Sequence, residues 1–194
     1  MPIEKILKTL AVGGQKRFAF MNTSYTRGAN IYFFIHDVNK DVIETKNYFN
    51  DALMGCDFSQ CRLAYIVGTK TDIYLEENDK AYCSPSNFIN DLMPNIPGLT
   101  SKIDKNMVLL SNNSIESVTS LYNFIADDVQ KNFEDKKLIN AIVMGMGGVG
   151  KTTTSRNLES IGNLMGSKVG INPAERLTIT PDIFLIKFQY DDAI

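Results

Sequence analysis

The sequence has few cysteines and histidines and no strong excess of either charge. It has three cysteines and one histidine, His36, and these lack the spacing of a metal site. Such cysteine usage is typical of a reducing compartment. Lysine and arginine number 20 against 22 aspartates and glutamates, which gives a formal net charge of -2. Because no basic field or basic run is present to attract phosphates, we do not expect binding to nucleic acid.

Long apolar segments are also missing. No apolar run approaches the roughly 20 residues that span a bilayer. The N-terminal MPIEKILKTL does not resemble a signal peptide, and neither end carries a lipidation motif. We therefore expect a cytoplasmic protein without a transmembrane segment or a lipid anchor. At 44% hydrophobic and 22% charged residues, the composition is that of one globular domain.

One glycine-rich segment matches a motif in full. Residues 141–154, AIVMGMGGVGKTTT, contain G-x-x-x-x-G-K-[ST] between a strand-like run and a helix-like stretch at 153–165. Such a loop surrounds phosphate with main-chain N–H groups, helped by the positive end of the following helix. Lys151 is expected to reach the β- and γ-phosphates, and the Thr152 hydroxyl to bind Mg²⁺. The predicted phosphate-loop residues are Gly147, Gly148, Val149, Gly150, Lys151, Thr152 and Thr153.

Apolar runs predict an α/β fold in which most strands precede this loop. Strands are predicted at 3–10, 31–35, 62–68, 107–110, 138–144 and 182–189. Helices are predicted after the capping residues Asp41 and Ser114, at 85–93 and at 153–165. His36 follows one of the apolar runs, which favours a structural role for it. Since the strand before a phosphate loop is central, we expect one doubly wound, mostly parallel six-stranded sheet.

The order of four motifs carries a resemblance to a known family. GGQ follows the first predicted strand, TKTD the third, SNN the fourth and GMGGVGKT the fifth. Together they resemble the boxes of the Ras superfamily of small GTPases (Ras-, Rab- and Rho-like proteins), in a rotated order. The resemblance implies a P-loop small GTPase fold in one domain, 1–194, circularly permuted between its second and third strands.

The permutation implies three parts. Residues 1–133 would hold the second switch, the base-reading boxes and the last helix. Residues 134–137 would join the old termini. Residues 138–194 would hold the phosphate loop, the first switch and the edge strand.

The resemblance implies a guanine-nucleotide switch that binds GTP or GDP with Mg²⁺ and slowly hydrolyses GTP. Lys70 would pack along the base, and Asp72 would accept hydrogen bonds from the guanine N1 and exocyclic amine. Gln15 would orient the attacking water, and it shares the implied catalytic role with Lys151. The other nucleotide-contacting residues implied are Gly14, Thr69, Ser111, Asn112 and Asn113. Effector proteins, exchange factors and GTPase-activating proteins are the implied partners.

The first switch and the metal site depart from the family pattern. Thr178, with Thr180 as the alternative, matches the threonine that closes over magnesium. Ala11 stands where the family has the aspartate that holds magnesium through water, so weaker metal binding and slower hydrolysis are expected. No aromatic residue lies between Thr152 and Asp182, so looser nucleotide retention is also expected.

Several alternatives stay open from the sequence. A pseudo-GTPase would bind nucleotide with weak magnesium binding and little turnover, and Ala11 motivates it. GMGGVGKTTT is also similar to the loop of the ParA and MinD partition ATPases, but Met146 stands where those proteins carry a signature lysine. Their fold also needs many downstream strands. The chain could instead be a fragment of two fused GTPases, or an artificial permutant.

Overall fold

The computed structural model describes residues 3–13, 24–73, 99–165 and 183–190. These ranges contain six strands and three α-helices of 11 or more residues, and residues 24–26 are also helical. In chain order they are β1 (Ile3–Ala11), β2 (Ile31–Asp37), α1 (Val42–Ala52), β3 (Leu63–Thr69), β4 (Ile103–Leu110), α2 (Ile115–Asn132), β5 (Leu138–Met144), α3 (Lys151–Met165) and β6 (Ile183–Tyr190). Short 3₁₀ turns lie at Thr71–Ile73 and Thr100–Lys102. The predicted α/β class is confirmed, while the helix predicted at 85–93 lies outside the described residues.

The six strands form a single sheet in the order β4-β3-β2-β5-β1-β6. β5 pairs in parallel with β1 on one side and with β2 on the other, and β2–β3 and β3–β4 are parallel as well. β6 runs antiparallel to β1, from Ile3 opposite Tyr190 to Leu10 opposite Ile183. Six strands were predicted correctly, but the expectation of a mostly parallel sheet is corrected to a mixed one. The apolar pattern of a strand does not encode its direction.

Burial along the strands follows their place in the sheet. Every residue of β2 is buried, as is typical of a strand covered on both faces. β6 alternates exposed and buried residues, which suits an antiparallel edge strand with one face toward the core. The continuous apolar run of β2 therefore fits its place inside the sheet, and the alternating pattern of β6 fits its place at the edge.

Helices cover both faces of the sheet. On one face α2 and α3 contribute Leu121, Ile125 and Leu158 to a core cluster. On the other face α1 packs Phe49 and Ala52 against a second cluster. None of the helices within the part of the chain that the structure describes has the length and apolar character needed to cross a membrane.

The predicted helix caps are present. The Asp41 side chain accepts hydrogen bonds from the main-chain N–H groups of Ile43 (2.6 Å) and Glu44 (3.2 Å). The Ser114 hydroxyl accepts from the Ser117 N–H at 3.2 Å. Each cap satisfies N–H groups that the first helical turn leaves without a partner inside the helix.

The segment 134–137 between α2 and β5 is tied to the sheet. The buried Lys5 ammonium on β1 donates to the main-chain oxygens of Phe133 and Lys136. Arg62, just before β3, forms a bidentate ion pair with Asp135 at 2.7 and 2.9 Å. These contacts fix the end of α2 and the start of β5 relative to each other.

Candidate functional site

The carboxyl ends of four adjacent parallel strands, β4, β3, β2 and β5, lie at the same edge of the sheet. Ligands of open α/β sheets bind at this edge, near the point where the strand order reverses. Three of the predicted motifs follow these strands directly: TKTD after β3, SNN after β4 and the glycine-rich loop after β5. The fold therefore brings together segments that are far apart in sequence.

The glycine-rich loop, residues 145–150, needs glycine for two different reasons. A Cβ at Gly145 would lie 2.4 Å from the main-chain oxygen of Ile35, so the loop passes too close to β2 for a side chain. Gly148 and Gly150 have φ angles of +76° and +94°, which favour glycine. At Gly147 and Gly148 an added Cβ would meet no atom within 4 Å. One side of the loop therefore abuts the sheet and the other side is open.

Lys151, the first residue of α3, folds back over the loop. Its ammonium donates to the main-chain oxygens of Gly145 (2.8 Å) and Met146 (2.7 Å). Burial lowers the pKa of Lys151 to about 8, so the side chain remains mostly charged at pH 7. A partly desolvated positive charge, a helix N-terminus and open glycines meet here, which is an arrangement that binds anions.

The loop is supported from α1 and β2. The Thr45 hydroxyl lies 3.7 Å from the Met146 sulfur and 3.0 Å from Nδ1 of His36. His36 is fully buried, and this burial lowers its pKa to about 4. The ring thus remains neutral at physiological pH and packs behind the loop, in agreement with the structural role predicted for it.

Thr69, at the end of β3, contacts the loop directly. Its buried hydroxyl lies 2.7 Å from the main-chain oxygen of Val149 and 3.0 Å from that of His36. A single hydroxyl therefore connects β3, β2 and the glycine-rich loop. Thr69 was predicted as a nucleotide contact, and in this structure it links the glycine-rich loop to the TKTD segment.

Lys70 is held by an acidic side chain that the sequence interpretation missed. Its ammonium forms an ion pair with Asp37 at 2.8 Å, and its φ of 62° is in the left-handed region. Asn39 donates from its main chain to Asp37 at 3.1 Å and from its side chain to the main-chain oxygen of Lys70 at 3.1 Å. Burial alone would raise the pKa of Asp37, but the bonds from Lys70 and Asn39 outweigh it and the pKa is lowered. Its position at the carboxyl end of a buried strand was the signal that could have revealed Asp37.

Asp72 and Asn113 meet across the two predicted base-reading loops. The Asn113 side-chain amide donates to Oδ2 of Asp72 at 2.7 Å, and both side chains are exposed. This hydrogen bond is the main reason why the pKa of Asp72 lies below its usual value, and the Ser111 side chain adds to it. Ser111 also donates its main-chain N–H to the Ser117 hydroxyl at 3.0 Å, at the start of α2.

Asn112 connects the SNN loop to α3. Its side-chain amide lies 3.1 and 3.2 Å from the Thr154 hydroxyl, as donor and as acceptor. Asn157 donates to the Asn112 main-chain oxygen at 2.9 Å. Sequence reasoning did not assign Thr154 or Asn157. Their signal is their spacing of three residues, which puts both on the same face of α3.

The remaining predicted positions fall into two groups. Thr152 and Thr153 lie in the first turn of α3, half-buried and exposed respectively. Ala11 ends β1, is 8% exposed and belongs to the core. Gly14, Gln15, Thr178 and Thr180 lie outside the described residues.

The described donors do not fit a tightly held divalent metal. Within residues 3–13, 24–73, 99–165 and 183–190, no cluster of three or more His, Cys, Asp or Glu side chains could hold an ion. The carboxylates of Asp37 and Asp72 are engaged by Lys70 and Asn113. Magnesium usually combines one or two carboxylates with phosphate oxygens. Here it would rely on Thr152 and the phosphates of a nucleotide.

Comparison with known proteins gives no relative. No family model, no curated protein and no solved structure matches the chain. The function must therefore be inferred from the chemistry of the site.

Proposed function

We propose that this chain is a circularly permuted Ras-like domain that binds GTP and GDP and acts as a guanine-nucleotide switch with slow GTP hydrolysis. The observation that carries the proposal is the meeting of two kinds of subsite at one sheet edge. The open glycine-rich loop with Lys151 suits phosphates, and the loops that bear Asp72 and Asn113 suit a base.

The topology supports this proposal. β5, which enters the glycine-rich loop, occupies a central position between β1 and β2. Starting the chain at β5 instead of β1 gives the strand succession β5, β6, β1, β2, β3, β4 without altering their neighbours. In that succession the second and third strands form an antiparallel edge pair and the first strand is central, as in the small GTPase fold.

The base preference rests on Asp72. A carboxylate offers two acceptor oxygens side by side, which match the N1–H and the exocyclic amine of guanine. Adenine presents an acceptor at N1 and no amine at C2, so its binding would leave the carboxylate without those donors. Because a site built to hydrogen-bond a substrate strongly rejects an analogue that lacks the partner, we expect guanine over adenine.

The proposed hydrolysis is slow because the metal site is weak. Lys151 would hold the transferring phosphate by charge, and Gln15 would orient the water. A switch of this kind would use effector, exchange-factor and GTPase-activating proteins, and we expect it to act in the cytoplasm.

A pseudo-GTPase is the second candidate. The buried Ala11 at the end of β1 favours it, because no carboxylate there can hold a metal-bound water. The two candidates share nucleotide binding and differ in turnover. Single-turnover GTP hydrolysis no faster than that of free GTP favours the pseudo-GTPase, and in that case Ala11→Asp should raise the magnesium affinity.

Titration with fluorescent nucleotides tests the shared part of the proposal. GDP and GTP should bind tightly and ADP and ATP weakly, and Lys151→Met should weaken all four. Asp72→Asn should shift the preference from GDP to XDP, because the carboxamide N–H can donate to the C2 oxygen of xanthine. Asp127→Ala, an exposed acid on α2, is the matched control. Equal binding of ADP and GDP by the unaltered protein would refute the guanine assignment.

A further inference from the structure

The Asn113–Asp72 hydrogen bond joins two loops that are 41 positions apart in the chain. Both partners are exposed, and a hydrogen bond in water adds little to the stability of the fold. Its main effect is on the side chain of Asp72, which lies on a short 3₁₀ turn. Together with the weaker contact from the Ser111 side chain, the bond restricts the orientations that the carboxylate can sample.

The donor in this bond is itself well anchored. Its neighbour Asn112 is bonded to Thr154 and Asn157 on α3. On the other side, the Ser114 N–H donates to the Ser111 main-chain oxygen at 3.1 Å. The loop that carries Asn113 is therefore fixed both to α3 and to the start of α2. A donor held in this way can hold the Asp72 carboxylate in position.

The bond also leaves Asp72 able to read a base. Asn113 contacts only Oδ2, and each carboxylate oxygen can accept about two hydrogen bonds. The bond stabilises the ionised form, which is the form that accepts from two neighbouring N–H groups. Ordering the side chain in advance removes part of the entropic cost of binding.

We propose that Asn113 is a specificity-determining residue that aligns Asp72 for recognition of the 2-amino group of guanine. The inference rests on the proposed function. It assigns to Asn113 a positioning role, through Asp72, rather than a contact with the phosphates or a role in stability.

Competition binding with GDP, IDP and ADP tests the proposal, because the base of IDP lacks only the 2-amino group. In Asn113→Ala the preference for GDP over ADP should fall about 3- to 10-fold, the range expected when one side chain is no longer ordered in advance. The preference for GDP over IDP should fall as well, because a carboxylate that is no longer aligned reaches the 2-amino group less well. The urea midpoint of unfolding should stay unchanged. Asn113→Asp should lower the preference further at pH 7, because a second carboxylate would face Asp72. Asn123→Ala, an exposed asparagine on α2, is the matched control.

The possible outcomes distinguish a failure of the role proposed for Asn113 from a failure of the proposed function. A GDP to IDP ratio that is the same in Asn113→Ala and in the unaltered protein would overturn the role of Asn113 while leaving guanine binding intact. An equal loss of affinity for GDP, IDP and ADP would also overturn it, since only base recognition should change. Failure of the unaltered protein to prefer GDP over ADP would instead refute the proposed function.

Discussion

The single histidine makes the pH dependence of stability a sharp test of the packing behind the glycine-rich loop. His36 is fully buried and its pKa is lowered by burial from an ordinary value of 6.5 to about 4. As the pH falls, His36 is therefore protonated near pH 6.5 in the unfolded chain, but only near pH 4 in the folded chain. The His36 contribution to stability is complete above pH 6.5 and is lost as the pH falls through this window.

The magnitude follows from the two pKa values. The free energy of unfolding should be about 2 kcal/mol lower at pH 5 than at pH 8. At pH 5 His36 is almost fully protonated in the unfolded chain and almost unprotonated in the folded chain. With a urea dependence of about 2 kcal/mol per molar, the midpoint of unfolding should fall by about 1 M.

The assay is urea unfolding at pH 8 and pH 5, in the unaltered protein and in His36→Asn. The asparagine does not titrate, and its amide can contact Thr45 in place of Nδ1. The variant should lose the His36 part of the pH effect, while the acidic groups act equally in both proteins and cancel in the comparison. If the two proteins lose the same stability between pH 8 and pH 5, His36 does not titrate as its burial requires.

Three further predictions concern the loop and the segment 134–137. The pKa of Lys151 is about 8, and a bound phosphate would raise it. Nucleotide affinity should therefore be constant below pH 7 and fall above pH 8. Binding titrations across pH 6.5–9.5 measure this. Gly145→Ala should destabilise the fold by about 2–4 kcal/mol in urea unfolding, because its Cβ would overlap a main-chain oxygen. Gly147→Ala, with open space around the new methyl group, should not. Lys5→Met should cost about 1–3 kcal/mol by leaving buried carbonyl oxygens without a donor, whereas Lys8→Met at an exposed position should cost little.

Strand positions could be predicted because burial on both faces leaves a continuous apolar run in the sequence. The predicted 31–35 and 62–68 match β2 (Ile31–Asp37) and β3 (Leu63–Thr69) closely. β4 begins four residues earlier than the predicted 107–110. In these four residues, polar side chains interrupt the apolar run and the pairing with β3 is irregular. Hydrogen bonds to a neighbouring strand can extend a strand through polar residues, and a sequence pattern does not reveal them.

The sequence predicted which segments meet at this edge of the sheet better than it predicted the contacts among their side chains. The sequence motif predicted the glycine-rich loop and Lys151, because the conformation of this loop depends on residues that are close together in the chain. The pairs Asp72–Asn113, Lys70–Asp37 and Asn112–Thr154 join different loops, and each depends on how β2, β3, β4 and α3 are placed relative to one another. Asn112 and Asn113 were predicted as nucleotide contacts, and the structure shows that Asn112 bonds to Thr154 and Asn113 to Asp72.

The proposed permutation need not disturb such a site, for a physical reason. The site lies where parallel strands end, so it depends on which strands are neighbours and not on the order in which the chain visits them. What a permutation changes is the connection that joins the old termini, here residues 134–137. Lys5 and Arg62, from the parts of the chain that precede it, bind the main chain or side chains of residues 132–136. A connection held in this way keeps β5 in register with β1, and hence keeps the glycine-rich loop at the level of the TKTD and SNN loops.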